Sequence, residues 1–287
     1  MVQVGLSLML EDDYRRASEP LFANDEVEVV EWTFDMGWGR TLPDWVTNVL
    51  AEFSDAGNLF GHGVSYSPLD ASSTARQDHW LFQLREEVAQ RNYRHVSEHF
   101  GFAGGGNFHM SAPLPVPLTP DSVKVGQTRL ENLARVAKVP VGLENLAFAF
   151  GLEDVQIQAR FLDEILDPVD GFLLLDLHNI YCQVCNFEIP ASKLLDSYPL
   201  ERVKEIHVSG GTWSNVEVSE TPVRRDTHDE AVPEEVFEIL AETIPRCPNL
   251  ELVFFERMGN TISEDDETTF CTDFRRIKGI AHREATG

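Results

Sequence analysis

The chain has 287 residues, which suits one large α/β domain or two small ones, and its mean hydropathy of −0.21 is ordinary for a globular protein. It carries 48 acidic and 23 basic residues, a net charge of −25. Such a charge repels phosphate backbones and anionic membrane surfaces, so we expect neither nucleic acid nor membrane as a partner. No apolar run approaches the roughly 18 residues of a membrane span, and the N-terminus lacks a signal-peptide pattern, which predicts a cytoplasmic protein.

Short apolar runs alternate with amphipathic stretches of helix length along the whole chain. Eight runs rich in Val, Leu, Ile and Phe are predicted strands: Val4–Leu10, Val27–Phe34, Leu59–Tyr66, His95–Phe102, Pro140–Ala147, Gly171–Ile180, Val203–Ser209 and Leu250–Glu256. The predicted helices are Asp12–Phe22, Pro43–Ala56, Thr74–Arg91, Pro120–Ala137, Glu153–Leu166, Ala191–Leu195, Glu234–Thr243 and Ser263–Ile277, the last with Ser263 as its N-cap.

Eight strand–helix units predict a (β/α)8 TIM barrel, whose parallel strands are covered on both faces and therefore read as continuous apolar runs. We expect a single domain over residues 1–280 and a flexible tail over residues 281–287. An open doubly wound sheet is disfavoured because no GxGxxG motif follows the first strand.

Two further motifs have structural interpretations. The glycines 104–106 and the Pro-rich segment Ala112–Pro120 follow the fourth strand, which predicts a long loop over the active face and not a domain linker. Cys182 and Cys185 form a CxxC motif without a matching second pair elsewhere in the chain. Buried, reduced thiols are therefore favoured over a zinc or redox site.

Polar residues follow nearly every predicted strand, at the end where TIM-barrel enzymes carry their catalytic groups. Glu31 ends the second strand, and we interpret five histidines and four carboxylates, on the later strands and in the loop after the seventh, as one cluster. The candidate metal ligands are His62, His99, Glu144, Asp176, His178, His207, Asp226, His228 and Glu256. We expect catalysis to rest on four of these, Glu144, Asp176, His207 and Glu256.

So many carboxylates at one barrel mouth would be costly unless a cation neutralised them. A mixed imidazole and carboxylate set without thiolate suits iron, manganese or zinc. Four carboxylates over-neutralise one divalent ion, so two or three ions with a bridging carboxylate fit better. Glu98, Asn145 and Asn179 each neighbour a candidate ligand in the sequence. Because neighbours on a strand point to opposite faces, we expect them to hydrogen-bond the ligating imidazoles from a second layer, unless the register places Glu98 inward instead of His99.

Seven segments in chain order resemble the multinuclear non-heme iron-dependent oxidative enzymes, the MNIO family. They are Gly61-His-Gly-Val-Ser, Val96-Ser-Glu-His99, Leu143-Glu-Asn145, Leu174-Leu-Asp-Leu-His-Asn179, Glu205-Ile-His-Val-Ser-Gly210, Asp226-Thr-His228 and Phe255-Glu256. No single segment is specific, and the match extends from about residue 58 to residue 260. The family's fold is a TIM barrel, as the strand count predicts.

The resemblance implies a cluster of two or three irons held by the nine candidate ligands, with a mixed-valent Fe(II)/Fe(III) pair and dioxygen as co-substrate. In this family Fe(III) binds a substrate thiolate and Fe(II) activates dioxygen. The implied substrate is a ribosomally made precursor peptide, modified commonly at Cys. A separate protein that binds the leader peptide is the implied partner; otherwise the loops around Phe102–Pro120 and Thr212–Arg225 would capture the peptide directly.

The chain departs from the family pattern in two places. The position of His178 is often Asn or another polar residue in the family, and the segment 254–260 lacks the Glu-Trp-Asp motif of many members. The first 57 residues match only loosely. These departures indicate a divergent subgroup, so the substrate of a named relative does not transfer.

Three other functions are compatible with a metal-binding barrel. A sugar isomerase or epimerase of the xylose-isomerase-like type also gathers Glu, Asp and His around divalent ions, but it moves a proton and uses no dioxygen. A metal-dependent phosphodiesterase of the endonuclease type is disfavoured by the charge of −25. A non-catalytic, metal-storing barrel is disfavoured because the ligand set is complete.

Overall fold

The computed structural model describes residues 2–70, 75–105, 108–215 and 221–284. Within these ranges the strands are β1 Gln3–Leu8, β2 Val29–Thr33, β3 Leu59–Gly63, β4 Tyr93–His99, β5 Phe102–Gly105, β6 Phe108–Leu114, β7 Val141–Glu144, β8 Phe172–Asp176, β9 Val203–Val208, β10 Trp213–Ser214, β11 Val223–Arg224 and β12 Leu252–Phe255. The helices are α1 Asp12–Ala23, α2 Phe34–Gly37, α3 Asp44–Asp55, α4 Ala75–Gln90, α5 Pro120–Ala137, α6 Leu152–Leu166, α7 Leu177–Phe187, α8 Ala191–Leu195, α9 Glu234–Thr243 and α10 Glu267–Glu284.

Eight parallel strands close into a barrel in the order β1-β12-β9-β8-β7-β4-β3-β2, with helices between them on the outside. This arrangement is a (β/α)8 TIM barrel, and it confirms the predicted fold. Each predicted barrel strand corresponds to one observed strand. Among the helices of the described segments, none is both long and apolar enough to cross a bilayer.

Two separate apolar layers hold the barrel together. The large layer lies between strands and helices and includes Leu6, Leu133, Leu162 and Phe274, all fully buried. A small cluster of Val29, Phe60, Leu252 and Phe254 fills the lower interior of the barrel. Because apolar side chains occupy the lower interior, the polar groups of the upper strands are left facing one another above them.

The sixth predicted strand, Gly171–Ile180, is too long. The strand ends at Asp176, whose side chain accepts a hydrogen bond from the backbone N–H of Asn179 at 2.5 Å and caps helix α7. The continuous apolar run hides this boundary, because a buried strand and a buried helix share the same composition. His178 and Asn179 therefore lie in the first turn of α7, a helix that the sequence pattern did not predict.

The segment after β4 is a hairpin and not a plain loop. β5 and β6 pair antiparallel, with Gly104 opposite His109, while Gly106 of the glycine run lies outside the described residues. Strands β10 and β11 form a second, shorter hairpin within the predicted loop Thr212–Arg225, of which residues 216–220 are not described.

The C-terminal boundary also differs from the prediction. The last helix continues to Glu284, with Ala281 fully buried, so residues 281–284 are helical and not a flexible tail. The remaining residues 285–287 lie outside the described part of the chain. Ser263 is an N-cap as predicted, but of a short 3-10 turn that precedes α10, and it forms a capping box with Asp266.

Candidate metal centre

Seven of the candidate ligands converge inside the upper end of the barrel. Five of them lie on barrel strands, where alternate side chains point to the inner face, while Glu256 directly follows β12 and His228 lies in the segment after β11. Their ligand atoms form four overlapping groups of three: His62–His99–Glu144, Glu144–Asp176–His207, Asp176–His228–Glu256, and Glu31–His207–Glu256. In each group the ligand atoms lie within 4.8 Å of one another.

The first group joins three neighbouring strands. Glu144 Oε2 lies 3.3 Å from His62 Nε2 and 3.3 Å from His99 Nε2. The other nitrogen of His62, Nδ1, is hydrogen-bonded to Ser97 Oγ at 2.8 Å, which orients the ring. Glu144 belongs to two of the four groups, so its carboxylate is placed to be shared between two ions.

The second half of the site is built on β9, β12 and the segment after β11. Glu256 Oε2 lies 3.1 Å from His207 Nδ1 and 3.8 Å from His228 Nδ1. Glu256 and His207 are almost fully buried, whereas His228 and His99 each keep about a fifth of the side chain exposed. The site is therefore closed below and opens at the C-terminal end of the barrel.

Several ligand atoms in this site are buried without a well-aligned hydrogen bond, although some of them lie close to an oppositely charged neighbour. They are Glu144 Oε2, Asp176 Oδ2, His207 Nδ1, His228 Nε2 and Glu256 Oε2. A buried polar atom without a partner is costly, and native proteins seldom leave one. Here the unpartnered atoms are carboxylate oxygens and imidazole nitrogens that face one another, the donor set that iron, manganese and zinc accept. The residues therefore fit a metal cluster.

In the metal-free site, burial and neighbouring charges shift the pKa values of several groups. Burial raises the pKa of Asp176 well above its usual range, and the neighbouring Asp226 raises it further. Burial also acts to raise the pKa of Glu256, but His207 and His228 outweigh it and lower that pKa to about 2. Groups that face each other with opposed shifts are typical of functional sites.

His178 and Asp226 contribute no ligand atom to the four groups. His178 Nδ1 lies 2.8 Å from Asp226 Oδ1, and His178 Nε2 accepts hydrogen bonds from Arg224 Nε and Nη2 at 3.2 and 3.0 Å. With Nε2 accepting, the neutral ring carries its proton on Nδ1 and donates it to Asp226. Asp226 Oδ1 in turn lies 2.9 Å from His228 Nε2. The structure thus places His178 behind Asp226, at the edge of the cluster.

The three predicted neighbours contact carboxylates and backbone, and not imidazoles. Asn145 accepts from the Asp176 N–H at 2.7 Å and donates to the Asp176 carbonyl at 3.1 Å. Asn179 Nδ2 donates to Glu144 Oε1 at 3.1 Å. Glu98 points away from the cluster and accepts the Tyr66 N–H at 3.2 Å, so His99, and not Glu98, faces the site.

Sequence reasoning did not include two buried carboxylates of the interior among the ligands or their neighbours. Glu31 Oε2 lies 3.1 Å from His207 Nε2, and Glu205 Oε1 lies 2.9 Å from the same nitrogen. Side-chain alternation along the strand could have identified Glu205, because it stands two residues before His207 and so shares the same face. Glu205 was not predicted because only residues near the ends of the strands were considered.

Comparison with known proteins places the chain in a family. The sequence profile described as "RiPP precursor modification enzyme MbnB/TglH/ChrH" matches residues 34–276, where RiPP denotes a ribosomally synthesised and post-translationally modified peptide. A UPF0276 protein of Pseudomonas aeruginosa is 27% identical over 95% of this chain and 94% of its own length. A UPF0276 protein of Shewanella loihica is 26% identical over 66% of each chain.

Solved structures share the barrel fold with this chain at low sequence identity. The D-psicose 3-epimerase of Clostridium cellulolyticum H10 superposes with a TM-score of 0.62 at 11% identity, covering 98% of this chain and 99% of its own. At that identity the likeness concerns the barrel alone.

Proposed function

We propose that this chain, which belongs to the RiPP precursor modification enzyme family MbnB/TglH/ChrH, is a multi-iron, dioxygen-dependent enzyme that oxidises a Cys side chain of its precursor peptide. The observation that carries the proposal is the set of unpartnered, mutually facing ligand atoms at the mouth of the barrel. Two or three irons would be held by His62, His99, Glu144, Asp176, His207, His228 and Glu256. When bound, iron supplies electrons to dioxygen and a binding position for the substrate thiolate.

The candidate ligands of this chain include no thiolate, so a thiolate bound to the metals would come from the substrate. The seven converging residues include no cysteine. Cys182 lies nearby, with Sγ 3.9 Å from His178 Nδ1, but burial raises its pKa well above the usual range. Its thiol therefore stays protonated in metal-free protein, and Cys182 contributes no ligand atom to the four groups. A peptide cysteine that enters from the open end would be the thiolate nearest to the cluster.

The rim of the barrel suits a peptide better than a sugar. Large apolar side chains stay exposed on segments that follow barrel strands, among them Phe148, Phe150 and Trp213, each exposed by about half or more. Phe148 and Phe150 stand edge to face, 5.9 Å apart, only a few residues after Glu144. Exposed apolar side chains of this kind mark binding surfaces, and a peptide with apolar side chains can bury more of them than a single monosaccharide can. We expect a separate leader-binding protein to complete the capture of the peptide.

The decisive experiment is metal analysis with Mössbauer spectroscopy on protein that is purified and reconstituted without oxygen. We expect two to three irons per chain, with an antiferromagnetically coupled Fe(II)/Fe(III) pair. Dioxygen uptake should then depend on a precursor peptide encoded beside the gene, and a Cys-to-Ser version of that peptide is the matched control. Protein that binds only zinc, manganese or magnesium after reconstitution, and epimerises a ketose without dioxygen, would contradict the proposal and favour the sugar epimerase.

A further inference from the structure

A chain of buried hydrogen bonds continues downwards from the candidate metal centre. His95 Nε2 is hydrogen-bonded to Glu205 Oε2, and Glu205 Oε1 lies 2.9 Å from His207 Nε2. Glu205 and His207 are fully buried, and His95 is 4% exposed. His95 packs against the rings of Phe60 and Phe172, with ring centroids 4.7 and 4.3 Å away. Neither His95 nor Glu205 belongs to any of the four ligand groups.

The hydrogen bonds determine which nitrogen of His207 carries a proton. Nε2 faces two carboxylate oxygens, Glu205 Oε1 at 2.9 Å and Glu31 Oε2 at 3.1 Å, and carboxylates only accept. Nε2 must therefore be the protonated nitrogen. The lone pair of a neutral ring is then on Nδ1, which has no hydrogen bond and lies 3.1 Å from the unpartnered Glu256 Oε2.

We propose that Glu205, anchored by His95, is a positioning residue that holds the His207 imidazole with Nδ1 towards the metal centre. The inference rests on the metal centre of the proposed function. A carboxylate that accepts the distal N–H of a ligating histidine selects its tautomer, fixes the ring and raises its basicity. Glu31 shares this N–H, but its other oxygen already accepts from Ser7 Oγ. Only Glu205 is anchored from below, by a histidine set in an apolar pocket.

The hydrogen bond from His95 to Glu205 Oε2 has a structural reason. Without it, this carboxylate oxygen would lie among apolar groups in the lower barrel, where an acceptor without a hydrogen bond is costly. Both oxygens of the Glu205 carboxylate are instead held by histidine nitrogens, Oε2 by His95 Nε2 and Oε1 by His207 Nε2.

Three variants test the assignment by iron and zinc binding to the full chain. Glu205→Gln keeps the shape and removes the charge. His95→Phe removes the anchor within an aromatic pocket, and His95→Gln restores an N–H donor. We expect Glu205→Gln to weaken metal binding by about 10- to 100-fold, the usual effect of removing such a partner. His95→Phe should weaken it less, and His95→Gln should restore it to near the wild-type value.

The control and a second readout separate positioning from general damage. Glu87→Gln removes a buried carboxylate that accepts from the Tyr93 hydroxyl at 2.6 Å in the helix layer, so it should lower thermal stability and leave metal binding unchanged. In zinc-loaded, 15N-labelled protein, the His207 Nε2–H resonance should appear in the wild type and His95→Gln, and shift strongly in Glu205→Gln.

The outcomes are distinct. Wild-type protein that binds no iron or zinc overturns the metal centre and, with it, this inference. Wild-type protein that binds both, while Glu205→Gln and His95→Phe bind them within twofold of wild type, overturns the positioning role alone. If Glu205→Gln does not fold, the pair His95→Phe and His95→Gln decides: equal affinities for the two refute the anchor.

Discussion

Replacement of Glu144 by Gln should remove more metal than replacement of any residue that serves a single ligand group. Glu144 Oε2 lies 3.3 Å from both His62 Nε2 and His99 Nε2, and Glu144 is also part of the group with Asp176 and His207. His99 belongs to the first group only. If an ion occupies each group that contains Glu144, Glu144→Gln loses two ions and His99→Asn loses one.

The size of the effect on stability follows from linkage. An ion at about 100 times its dissociation constant stabilises the folded state by about 2.7 kcal/mol. At about 2.1 cal/mol/K per residue, a chain of 287 residues unfolds with an entropy of about 0.6 kcal/mol/K. Each ion should therefore raise the melting temperature by about 4.5 °C. We expect iron to raise the melting temperature of Glu144→Gln by about 9 °C less than that of the wild type, and that of His99→Asn by about 4.5 °C less.

The assay is thermal unfolding under anaerobic conditions with and without Fe(II), together with iron counts on the same samples. Comparing each variant with its own metal-free form cancels the direct effect of the substitution on stability. Equal iron counts and equal shifts for the two variants would show that Glu144 is not shared between ions, and would refute the reasoning.

Three further outcomes are expected. In metal-free protein, burial acts to lower the pKa of His62, but the neighbouring Glu144 carboxylate outweighs it and raises that pKa from 6.5 to about 9. The resulting stabilisation is present below pH 6.5 and is lost as the pH rises through about 9, while iron affinity rises over the same window. Denaturation and metal titrations at several pH values would detect both changes. Arg224→Gln should lower metal content less than His99→Asn does, because Arg224 acts through His178, and an equal loss would contradict that placement. Gly142→Ala would place a Cβ 2.4 Å from the Phe172 ring and should destabilise the barrel by about 1–3 kcal/mol in chemical denaturation; an unchanged midpoint would show that the ring can move away.

Local pattern alone was sufficient for the barrel and for most of the candidate ligands that converge inside it. Buried parallel strands must be continuously apolar, so a polar residue within or just after such a run is conspicuous, as His62, Glu144 and Glu256 are. Because catalytic groups of this fold lie at the carboxyl ends of its strands, position in the sequence translates into position in space. The acidic composition, by contrast, identified no residue of the site.

The tertiary structure decided which polar residues face the candidate metal centre and which lie behind it. His178 reads as a strand residue next to Asp176, but the capping bond of Asp176 starts a helix there and turns His178 towards Asp226. Glu98 and His99 are adjacent in sequence and lie on opposite faces, which only the register of β4 against β7 distinguishes. Glu205 contacts His95 across 110 residues of chain. Such contacts depend on strand register and barrel closure, which are global properties that no local pattern encodes.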